Sequence, residues 1–201
     1  LDDIDHPETL AKLRKMAQIS FTQFTKSNSV YFTLGHALST ALVGVSILDA
    51  IKSHYGSIRA SEAINLMASI FYCNIGIIQN ILNDDKDNIV KISASEFIDI
   101  SHSNTNSCLW NYKGYRSKEF IKDAPFVSSN VNTELVNRAI DASDLTQKVE
   151  RHNEIGEITK LVRATQIISL MADENIARRQ VEFYNSAIEG EAIDTDVFAS
   201  L

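Results

Sequence analysis

The sequence predicts a mostly α-helical fold, a single domain of about six or seven helices around a buried apolar hairpin. Three observations carry this. Two long segments, Ser27 to Leu48 and Ala63 to Asn83, hold no charged side chain when His36 is neutral. Residues 7–26 and 131–188 repeat apolar side chains at helical spacing. Between them, over 84–128, that periodicity fades and leaves an irregular middle with room for a small β-hairpin.

Residues 7–26 read as the first helix. Pro7 fits a first turn, where its missing N–H costs nothing, and Glu8 meets the positive end of the dipole. Leu10, Leu13, Ala17, Phe21 and Phe24 form its apolar stripe, and Ser27 and Asn28 offer a break and a cap. Residues 29–53 read as the second helix, with Val30, Leu34, Leu38, Ala41, Val45 and Leu48 in one stripe. Small residues are dense here. Ala37 and Ala41 are four apart, as are Thr40 and Gly44, a spacing that lets helix backbones approach closely. Gly56 ends this helix. Ser57 or Ser61 can cap the third, expected to run to about Asn83 with Ile64, Met67, Ala68, Phe71, Ile75, Ile78 and Leu82 inward. The pair 29–83 is expected to be the most buried element.

In the middle segment, Asp84, Asp85 and Asp87 suggest an EF-hand, but Ile and Val stand at the following ligand positions and the required glycine is missing. Ile89-Val90-Lys91-Ile92 and Phe97-Ile98-Asp99-Ile100 are short strand or helix candidates. Leu109-Trp110-Asn111-Tyr112 and Phe120-Ile121 can anchor the segment to the helices. Thr133 can cap a helix through Ile140, and Gly156 marks a turn. Ile158, Leu161, Val162, Thr165, Ile168 and Met171 mark a strong amphipathic helix. Ala172-Asp173 is either a turn or read through towards Glu189-Gly190. The domain is expected over 1–190, with 191–201 a tail or linker.

The net charge of −7, with acids and bases interspersed, argues against a nucleic-acid partner, which needs a basic stripe. Two cysteines are too few for a disulfide scaffold. The chain opens on Leu1 with an acidic start and no signal peptide, which reads as a piece of a longer or processed protein. No cofactor motif is present; a phosphate-gripping glycine loop is absent. The five histidines, His6, His36, His54, His102 and His152, lack metal-ligand spacing, and His36 reads as a satisfied core or groove histidine. Arg178-Arg179 and Lys148 with Arg151 read as solvated basic spots.

Each uncharged segment has roughly the length that crosses a hydrocarbon core of about 30 Å. The amides Asn65, Asn74, Gln79, Asn80 and Asn83 argue against permanent spanning. Conditional insertion is the sharper expectation. Leu38, Leu42, Val45, Ile47, Ile70, Ile75 and Ile78 would meet lipid, and a tip with Asp49, His54 and Glu62 would respond to acid. Protonating the carboxylates would ease their crossing, while charging the histidines would oppose it. The plain alternative is a core hairpin of a soluble interaction or structural module. The third reading is an enzyme with Cys108 as nucleophile and His102, His152, Asp99 or Asp141 in support, although no spacing selects them.

The stretch Gly35 to Gly76, with Val45-Ser46-Ile47-Leu48-Asp49-Ala50-Ile51, then Gly56, then Ala63-Ile64-Asn65-Leu66-Met67-Ala68-Ser69-Ile70, resembles helical hairpins of the translocation, or pore-forming, regions of large bacterial cytotoxins. The resemblance covers about a quarter of the chain. It implies a non-enzymatic domain of a larger secreted virulence protein, delivered to a host cell. Its implied partners are a host membrane, other domains of the same polypeptide or a protein. It carries over no catalytic residue.

Overall fold

A thirteen-residue helix, Ala60–Tyr72, is the axis of the molecule, with ten of its residues buried. It is α3 of a computed structural model that describes residues 3–146 and 156–192. Before it come α1 (Pro7–Phe24) and α2 (Leu34–Tyr55). After it come a 3-10 turn (Ile75–Ile77), the strands β1 (Ile89–Lys91) and β2 (Phe97–Asp99), and a 3-10 stretch (Asn106–Tyr112). The rest is helical: α4 (Lys113–Asp123), α5 (Pro125–Ser128), α6 (Thr133–Ala142), α7 (Glu157–Met171) and α8 (Ile176–Glu189). The fold is mostly α, as expected. The described residues hold eight α-helices rather than six or seven, because Pro125 opens the single turn α5.

α3 packs against α1, α2, α6 and α7. Its neighbours explain why apolar residues surround it on all sides. Tyr72 donates to the Met16 carbonyl at 2.8 Å, and Ser20 donates to the Phe71 carbonyl at 2.6 Å, fixing α1 along α3. The helix stops at Tyr72 rather than Asn83. Its apolar continuation, Ile75, Ile77 and Ile78, stays buried but leaves the helix. Gly76 explains the departure. A Cβ there would lie 2.6 Å from the Ser117 amide and 2.8 Å from Arg116 Cβ, and would run into the Lys113 carbonyl. α4 therefore crosses this turn backbone to backbone, and Ser117 accepts from the Gly76 amide at 2.9 Å.

α2 differs most from expectation. Of its 22 residues only His36, Thr40, Ala41, Gly44 and Leu48 are buried. The proposed stripe is split: Ala41 and Leu48 face inward, while Leu38 and Val45 face out. The reason is steric. Gly44 lies so close to α3 that a Cβ would stand 2.6 Å from Ile70 Cδ1. The small residues make the contact, and the larger aliphatics on the opposite face are left outside. The pair 29–83 is thus not uniformly the most buried element; α3 is.

Caps shift by small steps. Thr33, not Asn28, caps α2 by accepting from the His36 amide, and Gly56 at φ 82° closes it. Arg59 occupies the N-cap of α3 without a side-chain cap bond, in place of Ser57 or Ser61. Asn132 caps α6, with Thr133 its first residue. Ala172 ends α7, so the turn reading holds there. In the middle segment β1 and β2 form an antiparallel pair with Val90 opposite Ile98.

Candidate functional site

Two features of α2 give the molecule its most distinctive surface. The first is the outer face. Leu38, Leu42 and Val45 sit at i, i+4 and i+7 and are 42%, 68% and 46% exposed. No lysine or arginine interrupts them. α7 runs antiparallel beside α2: Thr40 donates to Ser169 at 3.2 Å near one end, and Leu48 and Ile51 share a groove with Ile158 and Leu161 near the other. On α7, Ile168 and Met171 flank Ser169 and are also exposed. Among the described residues α2 is the single helix long and apolar enough to cross a membrane, with mean hydropathy 1.6.

The second feature is that groove, about 370 Å³, where the C-terminal end of α2 meets α3, α6 and the start of α7. Leu48, Ile51, Ile58, Leu66, Ile158 and Leu161 line it, with Glu62 and Glu157 among the polar residues.

The remaining hairpin residues do not join the outer face. Ile70, Ile75 and Ile78 are buried, and Ile47 packs partly buried against the core. At the tip Asp49 and His54 are exposed on α2. Glu62 is half-buried beside Arg59, whose hydrogen bond holds its carboxyl below the usual carboxylate range. That shift makes Glu62 harder to protonate, the opposite of an acid trigger.

Beneath α2 lies a polar core that sequence reading missed. Asn74 donates to Gln166 at 3.1 Å, and Gln166 donates to the Cys73 thiol at 3.3 Å. Burial pushes that thiol up to about 12. Lys113 pairs with Asp144 at 2.6 Å and lies 4.9 Å from the Trp110 ring centre. His36 is buried between Tyr31 and Phe32, and its Nε2 has no hydrogen-bond partner. It is a core histidine but not a satisfied one. Burial, and secondarily the charge of Arg179, lower it to about 3, so it is neutral at physiological pH.

Cys108 is half-buried, and burial raises its thiol despite a hydrogen bond with Ser103. Reactive cysteines need the reverse shift. Of its suggested helpers, His102 and Asp99 are exposed, Asp141 pairs with Lys118 at 2.7 Å, and His152 lies outside the described residues. Arg179 is no solvated spot. It pairs with Glu182 at 2.6 Å and stacks 4.7 Å from the Tyr31 ring centre, tying α8 to the segment before α2. Arg178 is exposed, and Lys148 and Arg151 lie outside the described residues.

The most heavily bonded site was not among those the sequence singled out. Arg116 and Asp85 are fully buried side chains joined at 2.8 and 3.0 Å. The guanidinium also donates to the carbonyls of Gly76, Ile78 and Lys91 at 2.7, 2.9 and 2.7 Å. Asp85 accepts the amides of Ile81, Leu82 and Lys91. The aspartate that suggested a calcium loop is instead the anchor of this turn. One signal was readable: Lys113, Arg116 and Ser117 share the helical face of Ile121.

No curated protein and no solved structure matches the chain. A family model, Npun_R2479-like, matches residues 4–195, nearly the whole sequence, and the chain therefore belongs to the Npun_R2479-like family.

Proposed function

We propose that this is a non-enzymatic helical interaction module that docks an apolar helix of a protein partner against the outer face of α2. The observation that carries the reading is the exposed Leu38, Leu42 and Val45 row on a helix whose inner face is already packed. Anchors at i, i+4 and i+7 are how one helix meets another. The net charge of −7 and the lack of basic residues on this face disfavour nucleic acid and anionic lipid. The test places a photo-crosslinking residue at position 42 and, as control, at exposed position 122 in the expressing cell. The expectation is a protein adduct at 42 that disappears with Val45→Asp and never forms at 122. Equal adducts at both positions, or an adduct indifferent to Val45→Asp, would overturn the reading.

The length and hydropathy of α2 favour a second reading, contact with a membrane. In it α2 lies on or enters a lipid surface when the packing loosens, within a larger secreted virulence protein as the cytotoxin resemblance implies. Insertion of the whole 29–83 hairpin would require removing α3 from the centre of the core. Flotation with neutral and anionic liposomes at pH 7.4 and pH 5 separates the two. Binding at pH 5 that is lost in Leu42→Asp favours the membrane, and no flotation at either pH sinks it.

A further inference from the structure

We infer that the groove at the C-terminal end of α2 is a binding site for a small apolar molecule carrying a single ammonium group. At about 370 Å³ it lies within the size range of small-ligand sites, roughly 300–1,000 Å³. Four helices contribute to it, so its shape is set by the fold rather than by one mobile loop. Its floor is apolar and firmly held: Leu48, Ile58 and Leu66 are buried core residues. Among the described residues its lining contains two carboxylates, Glu62 and Glu157, and no lysine, arginine or histidine.

The charge pattern selects the ligand class. Arg59 keeps the Glu62 carboxyl ionised, and it approaches from an exposed position, its side chain 68% accessible. Glu157 sits in the first turn of α7, where the positive end of the dipole favours a carboxylate. A ligand would therefore lay its hydrocarbon against Leu48, Leu66 and Leu161 and donate a hydrogen bond from its ammonium to Glu157. Ser57, Tyr55 and Thr159 add hydroxyl groups to the lining. An anionic ligand meets the Glu157 carboxylate as a like charge, and a neutral one brings that carboxylate no cation, whereas Glu62 already has Arg59.

The site is independent of the outer face of α2. It involves none of Leu38, Leu42 or Val45, so failure of one proposal leaves the other standing. The experiment titrates the full chain with hexylammonium, hexanol and hexanoate, following methyl signals of Ile51, Ile158 and Leu161 by NMR. Hexylammonium is expected to shift these methyls and to bind about tenfold more tightly than hexanol, the worth of one charge-assisted hydrogen bond. Glu157→Gln is expected to remove that preference while leaving the fold intact, since Glu157 is exposed. Ile158→Trp should block all three probes. Hexanoate binding as tightly as hexylammonium would overturn the proposal in favour of the α7 N-terminus as an anion site. Absence of methyl shifts with every probe, or a preference unchanged in Glu157→Gln, would also overturn it.

Discussion

Arg116 uses all five of its N–H donors, two on Asp85 and three on backbone carbonyls. Removing one partner of a buried ion pair costs about 3–5 kcal/mol, a large share of a domain's usual margin. Arg116→Ala is expected to lower unfolding stability by that amount in urea titration. Replacing the pair with apolar residues, often harmless elsewhere, should fail here. Arg116→Met with Asp85→Leu would leave three carbonyls and three amides of the turn without partners. His36 supplies a second prediction at this scale. Its folded value of about 3 lies below the ordinary histidine value near 6.5. Between those values the unfolded chain binds a proton that the folded chain refuses, so stability falls as pH drops from about 6.5 towards 3. Asp85 adds a separate loss further down. Burial would raise its carboxyl, but the bonds from Arg116 and from the Lys91 and Leu82 amides outweigh burial and hold it low. Its contribution is present above the unfolded carboxylate value near 3.9 and is lost as pH falls through the lower folded one. His36→Leu should flatten the upper limb of a thermal midpoint against pH curve and leave the lower limb intact. An unchanged upper limb would refute the assignment.

At the scale of the element, α2 shows how a helix can be strongly apolar yet half outside. Its inner face is made of Thr40, Ala41 and Gly44, which allow close approach, and its bulkier residues are turned away. Gly44→Leu should push α2 from Met67 and Ile70 at a cost of about 1–3 kcal/mol, while Leu42→Asp should stay within about 0.5 kcal/mol. Paired urea curves check this. If Leu42→Asp were the costlier change, the inside and outside faces would have been assigned the wrong way round. The single stripe drawn from the sequence failed here for a physical reason. Periodicity ranks residues by hydrophobicity, whereas close helix contact selects for small size. In α1, where ordinary ridges of Phe and Met meet α3, Met16 and Phe24 are buried together with Thr9 and Ser20.

For the whole molecule, the position of α3 decides the behaviour. It touches α1, α2, α6 and α7, so its release would uncover most of the apolar core at once. Amides of α2 and α3 buried by these contacts are expected to exchange hydrogen only through global unfolding, at pH 7 and at pH 5 alike. Faster local exchange across 34–72 at pH 5 would instead reveal a detachable hairpin and revive the insertion reading.

The sequence by itself determined the helical class, the helix ends at Gly56 and Gly190, the turn at Gly156 and the inward stripe with Ile75 and Ile78, and it offered the strand pair of the middle segment beside a helical alternative. These depend on local chemistry: glycine at helix ends, apolar runs, and residues suited to a strand. Tertiary structure decided which side of α2 faces inward, where α3 stops, and how Asp85 meets Arg116 across 31 positions. It also decided that His36, Asn74, Gln166, Lys113 and Asp144 share a polar core. Those outcomes depend on contacts between residues far apart in the chain, and spacing within one segment carries no record of the partner that another segment will bring.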